Sequence, residues 1–235
     1  MAGYAGSMSL LAHRHLRSVR PAVAGLIFGC LLLAGCGGGR DRPANADYGE
    51  RSRPIAEPTR ETRACLASLD GERIRYRQLP DRSFGGGCSA LGAVQLLQVG
   101  TPTRNLGAMT CPLAYRYGRW AREILQPAAQ RHFGKQVTLV ETMGTYSCRI
   151  IAGTGRVSEH GKANAVDISG FTLEDGKRIT VLDGWNADDR REREFLRELH
   201  RGGCGMFEIV LGPEANAAHR DHFHFDMGDR GPYCR

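Results

Sequence analysis

Eight cysteines restrict how this chain can fold more than any other residue type in it. Cys30 and Cys36 belong to an apolar N-terminal stretch, which leaves Cys65, Cys88, Cys111, Cys148, Cys204 and Cys234 distributed over the rest. An even number of cysteines in an exported chain argues for disulfides, and three cross-links would staple one modest core. The spacing itself does not choose among the possible pairings. A zinc site made entirely of cysteine thiolates is the weaker alternative, because no Cys-x-x-Cys pair occurs.

The case for export lies at the N-terminus. His13, Arg14, Arg17 and Arg20 form a basic flank with no acidic residue before Asp41, and Ala22 to Ala34 follows as an apolar run. A run of this kind suits the core of a secretory signal and is short for a membrane span. It ends in Leu33-Ala34-Gly35-Cys36, which resembles the lipobox where bacteria cleave before a cysteine and attach lipid to it. Residues 1–35 are therefore expected to be a cleaved lipoprotein signal, with Cys36 as the lipidation site that anchors the protein to a membrane. Residues 36–62 are rich in Gly, Pro and Arg with few large apolar groups, the composition of a flexible tether. One folded domain is expected over residues 63–235.

Three of the 32 basic residues precede Cys36, so the mature chain would carry 29 against 25 acidic ones, a formal charge of +4 rather than +7. That balance suits an anionic wall polymer or membrane surface. No arginine cluster interleaved with aromatic residues is present, which argues against a nucleic-acid partner. The sequence leaves the oligomeric state open.

Periodicity outlines the domain. Pro112 to Phe133 carries Leu113, Trp120, Ile124 and Leu125 at helical spacing and is closed by Gly134, with a kink or a break expected at Pro127. Val137 to Met143 alternates as a strand. Asn164 to Leu173 and Arg178 to Leu182 flank Asp175-Gly176, a hairpin turn signal. Asp188 to His200 reads as a charged surface helix ending near Gly202-Gly203, and Met206 to Leu211 and His222 to Met227 complete the strands. Helices and antiparallel strands mix without a repeating βαβ pattern. The expected fold is α+β, a small antiparallel sheet packed with helices and stapled by disulfides.

Two short stretches carry the chemistry. Ser158-Glu159-His160 is followed seven residues after the histidine by Asp167, and Asp221-His222-Phe223-His224 lies near the C-terminus. Zinc takes imidazole nitrogen and carboxylate oxygen, and a catalytic site keeps three protein ligands with a fourth position for water. Two histidines and an aspartate meet that requirement, with a spare His and Asp left as candidate general bases. Asp167 alternates with Val166 and Ile168, so it faces away from its apolar neighbours. His222 and His224 share one strand face while Phe223 and Phe225 enter the core, and Asp226 is placed to accept a hydrogen bond from His224. On alternation alone His222, not Asp221, lies on the face of His224; a bulge at the strand entrance would bring Asp221 round.

Ser158 to Asp167, with Tyr146-Ser147-Cys148-Arg149 before it and Asp221 to His224 after it, resembles the bacterial extensin-like C-terminal domain family. The likeness covers Arg63 to Arg235. That family is in turn similar to the zinc peptidase group of lysostaphin-type endopeptidases, D-Ala-D-Ala carboxypeptidases and hedgehog domains. The resemblance implies zinc held by His160, Asp167 and His224, with Asp221, three positions before the last ligand, activating water slightly ahead of His222. It also implies that Arg149 holds a substrate carbonyl or carboxylate; Ser158 and Glu159 are read as shaping the turn and supplying hydrogen bonds around the ligands rather than acting directly. Its disulfide pattern implies Cys65 with Cys88, Cys111 with Cys148, and Cys204 with Cys234. The family carries glycine where Ala163 stands, so a left-handed backbone there would cost this chain energy. The function implied is a periplasmic, lipid-anchored zinc peptidase acting on peptidoglycan cross-links or stem peptides; a non-catalytic zinc-containing wall-binding module is the alternative. The Pro-rich repeats of structural wall extensins are absent.

Overall fold

The computed structural model describes residues 57–235. The expected signal segment, Cys36 and the expected tether as far as residue 56 lie outside the described residues. Helix α1 (Arg60–Gly71) starts upstream of the Arg63 boundary because the Thr59 hydroxyl accepts from the Thr62 N–H and caps it. Strands β1 (Arg75–Gln78), β2 (Arg82–Ser83), β3 (Ser89–Ala90), β4 (Ala93–Gln98), β5 (Thr103–Arg104) and β6 (Met109–Thr110) follow. β4 runs antiparallel between β1 and β6 in a three-stranded sheet, and β2 pairs with β3 as a small hairpin.

The long helical segment is α2 (Cys111–Trp120), a π-helical stretch over Ala121–Leu125, and α3 (Gln126–Phe133). Pro127 neither breaks nor stops it. The wider π turn lets the Gln126 N–H bond to the Ala121 carbonyl, and Pro127, which has no N–H, falls in the first turn of α3 where a donor is dispensable. Gly134 then ends α3 at φ 64°.

The remaining elements are β7 (Val137–Gly144), β8 (Ala165–Leu173), β9 (Arg178–Thr180), α4 (Val181–Gly184), α5 (Arg190–Cys204), β10 (Ile209–Leu211), β11 (Phe223–Asp226) and β12 (Tyr233–Cys234). The main sheet has the order β12-β10-β11-β8-β7-β5, with β9 also on β8; its interior pairs are antiparallel and its two outermost pairs parallel. β9 stops at Thr180 rather than Leu182 because the Thr180 hydroxyl caps α4 by accepting from the Asp183 N–H. α5 runs through Gly202 and Gly203 instead of ending there. Both glycines serve close packing: a β-carbon at Gly202 would lie 2.4 Å from Ile124 Cγ2, and one at Gly203 2.9 Å from Phe225 Cζ.

One face of the main sheet packs on helices. Val166, Ile168, Phe171, Phe223 and Phe225 are buried with Trp120, Leu125, Phe195 and Leu199, and the Trp120 indole meets Phe225 edge-on at 5.4 Å while donating to the Leu199 carbonyl at 3.2 Å. Each such side chain contributes about 1.5–3 kcal/mol on burial. The opposite face is left for polar residues.

Three disulfides are present, but two pair differently from the expected pattern. Cys65 joins Cys111, Cys88 joins Cys148, and Cys204 joins Cys234 as expected. The exchange follows from α1, which sequence periodicity did not reveal: it packs on α2 and so delivers Cys65 to Cys111 at the start of that helix.

Candidate metal centre

His160 sits on a 3-10 turn over Glu159–Lys162 whose entry is capped by the Ser158 hydroxyl, an acceptor for the His160 N–H at 3.4 Å. The buried Glu159 carboxylate ties the turn together by accepting from Lys162 and Asn164, each at 2.8 Å. Ala163 ends the turn in the left-handed region at φ 55° and ψ 28°. Asp167 and His224 come from adjacent strands and are direct cross-strand partners in the β8–β11 register. Gly144 faces Asp167 from β7, so no side chain crowds that flank.

Three side chains converge on one point. His160 Nε2 lies 3.0 Å from Asp167 Oδ2, His224 Nδ1 lies 2.9 Å from Asp167 Oδ1, and the two imidazole nitrogens are 3.1 Å apart. The far nitrogens are already committed: His160 Nδ1 donates to the Thr145 carbonyl at 3.2 Å, and His224 Nε2 donates to Asp226 Oδ2 at 2.9 Å. A carbonyl and a carboxylate only accept, so each outward nitrogen carries a proton, and in the neutral form of either ring the lone pair turns inward. Two lone pairs and a carboxylate at such distances repel unless a positive charge lies among them. Donors around a tetrahedral zinc at 2.0–2.1 Å are separated by about 3.3 Å, close to the spacing here. His160, Asp167 and His224 thus fit a divalent cation, and Asp226, fixed by the Gly228 N–H at 2.8 Å, holds the tautomer of His224.

In the absence of a cation, a proton on His224 takes its place beside Asp167. Burial pushes the Asp167 carboxyl up, but hydrogen bonds from His160 and His224 outweigh it and hold it far below the usual carboxylate range. Burial likewise disfavours charge on His224, yet its bonds to Asp167 and Asp226 prevail and raise it to about 9. A pocket this closed still selects positive charge.

His222 reaches the same face. Its Nδ1 donates to Asp221 Oδ1 at 2.9 Å and its Nε2 stands 3.7 Å from Asp167 Oδ1. β11 pairs with β8 in unbroken register from Phe223 to Asp226, and Asp221 touches His222 rather than the three converging donors. Arg149 brings Nη2 to 3.7 Å from Asp167 Oδ2 with its side chain half exposed. His219, which the sequence reading passed over, borders the cluster with its ring 5.2 Å from that of His222 and 5.7 Å from that of His224. Burial, then the charges of His224 and His222, depress it to about 4. The signal that could have found it is its position three residues before His222. The second cluster of ligand types, His200, Cys204 and Cys234, is spent on a disulfide. A surface cavity of about 420 Å³ lined by residues 95–103, 105 and 106 lies elsewhere, and it is the donor geometry that locates the site.

A family model described as Extensin-like protein C-terminus matches residues 63–235. No curated protein and no solved structure matches the chain.

Proposed function

The chain belongs to the extensin-like protein C-terminus family, and from that premise we propose that it is a zinc-dependent peptidase of the lysostaphin, D-Ala-D-Ala carboxypeptidase and hedgehog type. The observation that carries the reading is the convergence of His160 Nε2, Asp167 and His224 Nδ1, three ligand-type groups within about 3 Å of one another. Bound there, zinc would supply a water acidified toward neutrality and a Lewis acid for the carbonyl.

The protein's own groups supply the rest. His222 Nδ1 is committed to Asp221, which leaves Nε2 facing the cluster 3.7 Å from Asp167 Oδ1, beyond hydrogen-bond range and free to engage a water. We therefore assign His222 as the general base and Asp221 as the group that orients it, the reverse of the order the resemblance implies. His222 would take the proton as water oxygen bonds to the amide carbon and return it to the amine as the C–N bond breaks. The Arg149 guanidinium would hold the substrate carbonyl or carboxylate at the mouth of the site. Peptidoglycan stem peptides or cross-links are the proposed substrate, supported by the resemblance of the N-terminal run to an export signal, of Leu33 to Cys36 to a lipobox, and by the mildly basic charge of the chain after Cys36. The protein would work in the periplasm, anchored through lipid on Cys36.

Metal analysis of the purified protein, with digestion of peptidoglycan in the presence and absence of chelator, tests this. About one zinc per chain and chelator-sensitive release of muropeptides are expected. His160→Ala should lose both, whereas His222→Ala should keep zinc and lose cleavage. Zinc without cleavage would favour the wall-binding module, and cleavage by metal-free protein would exclude the mechanism.

A further inference from the structure

Arg149 is the one group at the site whose position nothing nearby fixes. His160, Asp167 and His224 are set by a capped turn and by sheet register, but among the described residues the Arg149 guanidinium has a single ion-pair contact, Asp167 at 3.7 Å, and no side-chain hydrogen bond. Its place is decided by the strap that carries it, Tyr146 to Val157. No residue of that strap is buried. Backbone bonds close it on itself at Ser158 N–H to Arg149 carbonyl and at the Ile150–Val157 bridge, and join its base to the turn at Ser147 N–H to His160 carbonyl. Tyr146 packs on the small cluster of Ala90, Ala93 and Ala163, and its ring lies 5.0 Å from that of Phe84. One covalent link remains, at the residue next to Arg149: the disulfide from exposed Cys148 to Cys88, which is 3% exposed. Cys88 abuts the ligand turn, since a β-carbon at Gly161 would lie 3.2 Å from its sulfur.

We propose that the Cys88–Cys148 disulfide is a positioning element for Arg149, so that an intact bond is needed for carboxylate recognition at the site but not for binding the metal. The assignment rests on the metal-site reading above. Without the bond the strap keeps only Tyr146 and Val157 packed at its two ends and backbone hydrogen bonds exposed to water, and an arginine between those ends samples many positions. The metal half keeps its turn cap, its register and its outward acceptors.

The test uses the intact protein loaded with Co2+ in place of zinc, with N-acetyl-D-alanine as the carboxylate probe, followed by the visible absorption of the metal. Wild type, Arg149→Ala, the Cys88→Ser/Cys148→Ser pair and the triple variant form a cycle, each checked for folding by circular dichroism. The serine pair should bind about one Co2+ per chain, weaken the probe about tenfold as Arg149→Ala does, and show no further loss in the triple variant. Additive losses, unchanged probe affinity or loss of Co2+ with the disulfide would overturn the proposal. If wild type binds no Co2+, the metal-site reading itself fails. The positioning claim is then read from hydrogen exchange, where faster exchange at Ser147 and Ser158 in the serine pair supports it and unchanged exchange rejects it.

Discussion

Ala163 occupies a left-handed backbone position, buried at the end of the turn that holds His160. A β-carbon there costs about 1–2 kcal/mol, which glycine avoids. Two residues earlier the situation is reversed, because a β-carbon on Gly161 would come 2.6 Å from Val157 Cγ1 and 3.2 Å from Cys88 Sγ. Ala163→Gly should therefore raise the melting temperature by about 2–4 °C, the loss of a buried methyl and the freer unfolded chain offsetting part of the relief. Gly161→Ala should destabilise by about 1–3 kcal/mol, as overpacking does. Scanning calorimetry of the two variants reads both signs, and a lower melting temperature for Ala163→Gly would show that the turn carries no strain. The demand at residue 163 was legible in the sequence once glycine was expected there. The proposed division of labour between Asp221 and His222 was not, since it depends on which imidazole nitrogen meets the carboxylate, and strand alternation places side chains without fixing their hydrogen bonds.

The strands were the most legible elements. Asp167 between Val166 and Ile168, and His224 between Phe223 and Phe225, each declare a polar face and an apolar one, and pairing the strands with apolar faces on the helices brings the two polar residues together. The helices were less so. Glycines that usually end a helix lie inside α5 because Ile124 and Phe225 need the space, a tertiary demand with no local signal. The disulfide partners were hidden for the same reason, set by the packing of α1 on α2. α5 also carries His200, whose Nε2 donates to the Arg235 carbonyl at 3.1 Å and whose ring meets Trp185 and Phe223. Burial lowers its pKa, with the Arg235 carbonyl opposing. A histidine depressed in the folded state binds its proton first when unfolded. Its contribution is therefore present above the unfolded value of about 6.5 and lost as pH falls below it toward the depressed folded value. Urea unfolding at pH 7.5 and pH 5 should show stability falling on acidification by less in His200→Gln than in wild type. Equal losses would mean that His200 is not protected from charge in the fold.

At the scale of the described domain, three disulfides cross-link the chain and the proposed cation would add to them. The disulfides close loops spanning 46, 60 and 30 residues, each removing about 4 kcal/mol of chain entropy from the unfolded state on the loop-closure account. The proposed cation would be a fourth link, joining the turn of His160 to β8 and β11, and would stabilise only the folded state, where the donors meet. At a free concentration a thousandfold above its dissociation constant it should contribute about 4 kcal/mol, or roughly 8–16 °C in melting temperature for a domain of this size. The core and the disulfides do not depend on it. Chelation should therefore lower the melting temperature without unfolding the protein at room temperature, unlike small zinc domains that fold only around their metal. Asp167→Asn, which keeps the shape but removes the charge, should already melt near the chelated value and respond little to chelator. Melting curves of both proteins with and without chelator, paired with metal analysis to establish that the ion has left, decide the matter. If wild type loses its metal and melts unchanged, the three donors do not form a link that the fold relies on, and the cation bound elsewhere.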